Sequence, residues 1–170
     1  MSREESMDVR SAQPGDLDGL LDLLDELDTF YDSPTSDARQ QRAAQITAAL
    51  FAADPPARAL VAEDGGRLVA MASYSFLWPA AGATTSLWCK ELFVSASHRR
   101  RGLGRQLLRA LSRIASDRSC SRVEWTTERG NSEAIAFYDA LGAPAQTDKV
   151  MFRLEGDHLA SSASANTGHD

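Results

Sequence analysis

The sequence predicts an α/β fold, in which a central mixed β-sheet is covered by helices on both faces. Short apolar runs of strand length alternate with leucine-rich segments of helical spacing. The turn Asp64-Gly65-Gly66 separates two strand-like runs and is typical of an antiparallel hairpin. An apolar strand, a helix and another strand then follow one another over residues 91–127. That order normally joins two parallel neighbours by a right-handed crossover, so the sheet should contain both kinds of pairing.

The first part of the chain predicts one strand and two helices. The strand covers residues 8–12. Leucines recur three and four residues apart within residues 13–31, which indicates an amphipathic helix with Asp16 placed to cap it. The second helix covers about residues 37–53 and ends before two consecutive prolines.

The rest of the chain alternates between strands and helices. We expect strands over residues 58–63, 67–77, 86–94, 121–127 and 148–155, and helices over 102–116 and 131–142. We expect one domain over residues 7–155, since a chain of this length can enclose one hydrophobic core. The tails, residues 1–6 and 156–170, are polar, and we expect them to be disordered.

Composition narrows the classes of function. Hydrophobic residues make up 43% and charged residues 25% of the 170, as in ordinary soluble proteins. We expect a cytoplasmic protein without membrane contact, because the chain has neither a run of roughly 20 apolar residues nor a signal-peptide core. The two cysteines and three histidines lack ligand spacing, so we expect no metal site. A net charge of -6 argues against a nucleic-acid partner.

Charge is distributed unevenly, which suggests two different ligands. One stretch is acidic and contains no base: its acids are Asp16, Asp18, Asp22, Asp25, Glu26, Asp28 and Asp32. A later stretch reverses the sign with Arg99, Arg100, Arg101, Arg105, Arg109 and Arg113.

The basic stretch contains a turn that suits an anion. In "HRRRGLG", residues 98–104, arginines lead to two glycines at the start of a leucine-rich helix. A helix N-terminus presents backbone N–H groups and partial positive charge, and Gly102 and Gly104 would let a phosphate approach them. Other readings stay open: the glycines permit tight packing, the later arginines form a solvated face, or the cluster binds nucleic acid.

Two motifs resemble those of the GNAT N-acetyltransferase superfamily. "VSASHRRRGLGRQLL" is similar to the family's acyl-CoA signature, here Arg99-x-x-Gly102-x-Gly104. "GNSEAIAFYDALGA" is similar to the family's Asn-x-x-Ala-x-x-Phe-Tyr-x-x-x-Gly. The chain looks closest to the branch that acetylates diamines and polyamines. The resemblance implies a central sheet in which two parallel strands splay apart around acetyl-CoA, and a homodimer.

The resemblance also implies which residues hold acetyl-CoA. Backbone groups at the end of the strand over residues 86–94 would pair with the pantetheine arm, and the Val94 N–H would polarise the acetyl carbonyl. Asn131 would contact the arm, although its residue type equally suits a helix N-cap. The whole implied set is Leu92, Phe93, Val94, Arg99, Arg100, Arg101, Gly102, Leu103, Gly104, Arg105, Asn131, Ala134 and Phe137.

Two residues are candidates for catalysis. Tyr138 is placed by the second motif to act as general acid toward the departing thiolate, and its alternative role is that of a core tyrosine. Glu91 lies three residues before Val94 and is the candidate general base, directly or through water. Its alternative role is that of an ordinary strand acid. Cys89 lacks a neighbouring activator, so we expect direct transfer rather than an acetyl-enzyme.

The acceptor is expected to be a small, cationic primary amine. The acidic helix either attracts such a molecule or is a solvated face, and Phe30, Tyr31 and Asp32 are candidates for the acceptor wall. Two alternatives remain, a protein or peptide N-acetyltransferase and a non-catalytic acyl-CoA-binding module.

Overall fold

The structure is a computed structural model that describes residues 7–33 and 35–164. The chain forms two compact units, divided between Thr126 and Thr127. The prediction of a single domain over residues 7–155 stays a prediction. The expected disorder of residues 1–6 lies outside the described residues.

The first unit contains a five-stranded sheet and three helices. Its strands are β1 (Val9–Ser11), β2 (Arg58–Asp64), β3 (Arg67–Leu77), β4 (Ser86–Val94) and β5 (Arg122–Trp125). Its helices are α1 (Leu17–Phe30), α2 (Arg39–Leu50) and α3 (Leu103–Asp117), with short 3-10 turns at Pro14–Asp16 and Ala96–His98. Each of these strands and helices lies within four residues of its predicted bounds. Asp16 precedes α1 without capping it, because its carboxylate accepts from the Gln13 N–H and from Arg10.

The sheet is mixed, as predicted. Its strand order is β1-β2-β3-β4-β5, with the first four strands antiparallel and the pair β4–β5 parallel. The predicted hairpin is confirmed, since Asp64 pairs with Arg67 across the turn. Gly65 and Gly66 have φ of 57° and 82°, the left-handed backbone that a two-residue turn of this kind requires.

Helices α1 and α2 cover one face of the sheet. Ile46 of α2 and the leucines of α1 form one buried cluster with Val61, Met71 and Phe93. Neighbouring strand residues point the other way, and Ala70 and Ala72 are fully buried there. Helix α3 packs on β3, β4 and β5, and its own leucines lie outside the first cluster. The residues of α3 that are almost completely buried are Leu103, Leu107 and Leu111, and those that form its exposed face are Arg105, Arg109 and Arg113.

The second unit departs from the prediction. It contains α4 (Ser132–Ala140) and α5 (Gly156–Ser164). The strand predicted over residues 148–155 was wrong: these residues form no strand, and Phe152 is 91% exposed. A strand needs backbone partners, and a run of apolar residues supplies only a local preference. In the tail expected to be disordered, residues 156–164 form α5, with every residue of this helix exposed. Residues 165–170 lie outside the described part of the chain.

Among the residues that the structure describes, no helix has both the length and the apolar character needed to cross a membrane.

Candidate active site

The parallel pair β4–β5 opens along its length. The last paired residues are Cys89 and Trp125, whereas β4 continues to Val94. On the opposite edge of β4, the Ser95 N–H donates to the Val69 carbonyl at 2.8 Å. Backbone groups alternate between the two edges of a strand, so the N–H and carbonyl groups of Ser95 and of every second residue before it point toward β3. Leu92 and Val94 therefore direct their backbone groups toward the edge that β5 leaves.

Phe93 was expected to offer its backbone to the cofactor, but its backbone groups point elsewhere. Its backbone groups share the β3 side with those of Ser95, by the same alternation. Its ring is 5% exposed and belongs to the cluster beneath α1. Phe93 is thus a core residue of this region, and only its two neighbours offer backbone to the open edge.

Glu91 lies beside an irregularity in β4. Ser73 pairs with Glu91 and Tyr74 pairs with Cys89, so Lys90 is an extra residue opposite β3. Burial raises the pKa of the Glu91 carboxyl above its ordinary value of 4.5. A hydrogen bond from the Leu92 N–H and the charge of Lys90 oppose this rise.

Cys89 is unsuited to nucleophilic attack. It is 2% exposed, and burial raises the pKa of its thiol to about 12, with the charge of Glu91 adding to the rise. Its Sγ donates to the Glu91 carbonyl at 3.4 Å. A thiol in this environment stays protonated at neutral pH, which favours direct transfer.

The turn between β4 and α3 forms a cradle of backbone donors. Arg100 and Gly102 adopt left-handed backbone, with φ of 62° and 81°. Gly102 is the N-cap residue of α3, and within the described residues no side chain caps this end. A Cβ at Gly102 would meet nothing within 4 Å, so the space in front of the turn is open. The first N–H groups of α3 belong to Leu103, Gly104 and Arg105. They lie at the open helix N-terminus, where such donors can hold a pyrophosphate.

The Arg99 side chain folds back rather than extending in front of the turn. Its Nε donates to the Val94 carbonyl at 3.2 Å. Its guanidinium carbon lies 4.7 Å from the centre of the Phe30 ring and 5.9 Å from that of Phe93. The Tyr31 ring meets Phe30 edge-on, with centroids 5.1 Å apart. Residues expected to bind the cofactor and residues expected to form the acceptor wall are thus in contact, and Asp32 follows them with φ of 48°.

Sequence reasoning missed one polar contact at the same place. Ser95 is 5% exposed, and its Oγ donates to Glu26 Oε2 at 2.7 Å. The other oxygen of Glu26 accepts from Arg67 Nη2 at 2.8 Å. The only available signal was that Glu26 is the one glutamate in a run of aspartates, which does not reveal its partner.

The other acids of α1 mostly face α2, where two arginines neutralise them. Arg42 pairs with Asp25 and, at 2.9 Å, with Asp28. Arg39 pairs with Asp22 at 3.1 Å, and also reaches Asp18 and Asp25. These acids are engaged in joining the two helices, so the acidic run by itself gives little support to a cationic acceptor.

The second unit contains the remaining candidates. The Ala134 N–H donates to Asn131 Oδ1 at 3.1 Å, which confirms Asn131 as the N-cap of α4. The rings of Phe137 and Tyr138 lie 5.3 Å apart between centroids. Tyr138 has further interactions within the chain. Capping occupies only the amide oxygen of Asn131, so its NH2 group can still donate.

A match to a family model agrees with this geometry. The model is that of the acetyltransferase (GNAT) family, and it matches residues 20–143. The chain belongs to the GNAT family. It is therefore an N-acetyltransferase, as the two motifs predicted.

Relatives of this acetyltransferase are named for small-molecule amines. Thialysine N-epsilon-acetyltransferase of Sus scrofa is 24% identical over 162 residues, which are 89% of this chain and 94% of the relative. L-ornithine N5-acetyltransferase NATA1 of Arabidopsis thaliana is 33% identical over 82 residues, which are 48% of this chain and 36% of the relative. Both names describe acetylation of an amino group on a small molecule, in keeping with the expected diamine and polyamine branch.

Solved structures share the fold of this GNAT chain. An integron cassette protein from the mobile metagenome of V. cholerae superposes with a TM-score of 0.84 at 27% identity, covering 93% of this chain and 98% of its own. Aminoglycoside N-acetyltransferase AAC(6')-Iy in complex with CoA superposes with a TM-score of 0.71 at 19% identity, covering 86% and 93%. The predicted GNAT-like fold is confirmed. No group of three or more metal-binding side chains occurs within residues 7–33 and 35–164.

Proposed function

We propose that this GNAT enzyme transfers an acetyl group from acetyl-CoA directly to the primary amine of a small, cationic molecule. One observation carries the proposal. The open edge of β4 ends in a turn whose backbone donors and arginines suit a pyrophosphate. An extended chain ending in a pyrophosphate, as in coenzyme A, fits an edge of this kind better than a compact anion would.

The donor is held mainly by backbone. The carbonyls of Leu92 and Val94 accept hydrogen bonds from the pantetheine arm as in an added strand, and the Val94 N–H donates to the acetyl carbonyl oxygen. The N–H groups over residues 100–105 hold the pyrophosphate, and Arg100 and Arg101 add positive charge. Three residues of the second motif lie beside the pantetheine arm, namely Asn131, Ala134 and Phe137. Acetyl-CoA supplies the thioester whose acetyl group is transferred.

Two side chains move the protons. Glu91 accepts a proton from the attacking amine, directly or through one water. Its raised pKa makes it a better base near neutral pH than an exposed glutamate. Tyr138 donates a proton as the thiolate leaves, since a phenol with a pKa near 10 can protonate a thiolate held against it.

The binding site for the acceptor amine is proposed to lie at the aromatic C-terminal end of α1. Phe30 and Tyr31 are 49% and 41% exposed, and Asp32 follows them with a carboxylate suited to a cationic amine. The names of the thialysine and ornithine relatives support a small acceptor with more than one charged group.

The direct test is acetyl-CoA-dependent thiol release with a panel of amines. The panel runs from polyamines, diamino acids and aminoglycosides to neutral amino acids and short peptides. We expect turnover with one of the small cations and little with peptides. Tyr138→Phe is expected to lower kcat about 100-fold, since general acid catalysis contributes at least that much. Turnover of peptides alone, or a Tyr138→Phe variant as fast as the parent, would overturn the proposal.

A further inference from the structure

The second half of α1 touches the β4–α3 turn at two matched points. Glu26 and Phe30 are four residues apart and lie on the same face of α1. Ser95 and Arg99 are also four residues apart, one at the start of the turn and one in its middle. Glu26 meets Ser95, and Phe30 meets Arg99.

The first point is a part-buried, charge-assisted hydrogen bond. Ser95 follows the last residue of β4, and its N–H and carbonyl are already engaged, with Val69 at 2.8 Å and with the His98 N–H at 2.9 Å. The Oγ–Glu26 bond of 2.7 Å then fixes its side chain as well. Arg67 orients the Glu26 carboxylate by binding its other oxygen.

The second point fixes the middle of the turn. The Arg99 guanidinium lies over the Phe30 ring, and its Nε donates to the Val94 carbonyl. Arg99 thereby closes the turn onto the end of β4. The next residue, Arg100, has φ of 62°, a conformation that costs a residue with a side chain about 1 kcal/mol or more. A turn with this backbone needs support from outside.

We propose that Glu26 and Phe30 act together as a clasp, which positions the β4–α3 turn so that its N–H groups point at the pyrophosphate of acetyl-CoA. Glu26 and Phe30 are positioning residues, since they act through Ser95 and Arg99. The inference rests on the proposed function and adds to it. Helix α1, which ends at the proposed acceptor wall, thereby also sets the affinity for acetyl-CoA.

The test compares Glu26→Ala with two matched variants. Glu26→Gln keeps an oxygen that can accept from Ser95 Oγ, and Asp22→Ala removes an acid from the same helix that does not touch the turn. Ser95→Ala removes only the hydroxyl that donates to Glu26, and it replaces Glu26→Ala in the test if that variant does not fold. For each variant, CoA affinity is measured by calorimetry, and KM for acetyl-CoA and kcat are measured with the best amine.

For Glu26→Ala and Ser95→Ala we expect the Kd of CoA to rise about tenfold, the effect of losing one charge-assisted hydrogen bond. The KM for acetyl-CoA should rise in parallel, with kcat within about twofold of the parent. Glu26→Gln should recover most of the affinity, and Asp22→Ala should bind CoA as the parent does.

Parental affinity in both Glu26→Ala and Ser95→Ala would overturn the clasp, as would an equal loss in Asp22→Ala. If the parent binds no CoA, the clasp and the proposed function both fall. If the parent binds CoA, the variants behave as expected and no amine is acetylated, only the proposed function fails.

Discussion

Glu91, the proposed general base, should also lower the stability of the folded chain at neutral pH. Its carboxyl is half-buried near the end of β4, and burial raises its pKa. For Glu91→Gln we expect kcat to fall by about 100-fold, because the amide cannot accept a proton. The parent's kcat/KM should rise with pH as Glu91 ionises, and the variant should lack this limb. A pH–rate profile from about pH 5 to about pH 9 measures both, and an unchanged profile would remove Glu91 from the mechanism.

The same substitution should increase stability at neutral pH. A carboxyl with a raised pKa in the folded state holds its proton more tightly there than in the unfolded chain. Its unfavourable contribution is absent below the ordinary value of 4.5 and grows as pH rises through the folded-state pKa. Glu91→Gln should therefore unfold at higher urea concentration than the parent at pH 7, and the two should converge in acid.

At the scale of single residues, the sequence located the turn between β4 and α3 but not the side-chain contacts that hold it. The family motif located Gly102 and the turn because the backbone there depends on glycine and on neighbouring residues. It did not predict that Arg99 stacks on Phe30, or that Ser95 bonds to Glu26. Both contacts join residues about 70 positions apart, and side-chain direction across such a separation is decided by tertiary packing.

Helix α1 lies close against β3 at one glycine. A Cβ at Gly19 would lie 2.8 Å from Leu68 Cγ, and Leu68 is itself buried. We expect Gly19→Ala to lower the free energy of unfolding by about 1–2 kcal/mol, because overpacking outweighs the helix preference of alanine. Urea denaturation measures this. Gly15→Ala is the control, since its Cβ would meet nothing within 4 Å, and a Gly19→Ala variant more stable than the parent would contradict the close packing.

At the scale of elements, local patterns succeeded where partners are local. The β2–β3 hairpin and the amphipathic α3 were predicted because turn residues and leucine spacing determine them. The predicted strand over residues 148–155 failed because it needed a partner that the second unit does not supply within its described residues. The ion pairs of α1 with Arg39 and Arg42 were also missed, since the acids looked solvated when α1 was considered alone.

The two units differ in how much each element contributes to packing. Helix α5 exposes all of its residues, whereas α3 has leucines with almost no exposure. We expect a chain ending at residue 155 to match the full chain in thermal midpoint and kcat/KM. Leu111→Ala, at a fully buried position, is the contrasting variant and should lose about 2–5 kcal/mol. A marked loss of stability on truncation would show that α5 contributes to folding.

Taken over the whole molecule, the backbone edge at Leu92 and Val94, which is proposed to hold the acyl donor, bears on how such an enzyme can change over time. Main-chain N–H and carbonyl groups are the same under every side chain except proline, so few point mutations can erase a grip built from them. Side chains such as those of Tyr31 and Asp32, which do not contact the turn in the proposed clasp, have no such protection. An ancestor built this way can exchange one amine for another in small steps while its hold on the acyl donor stays constant.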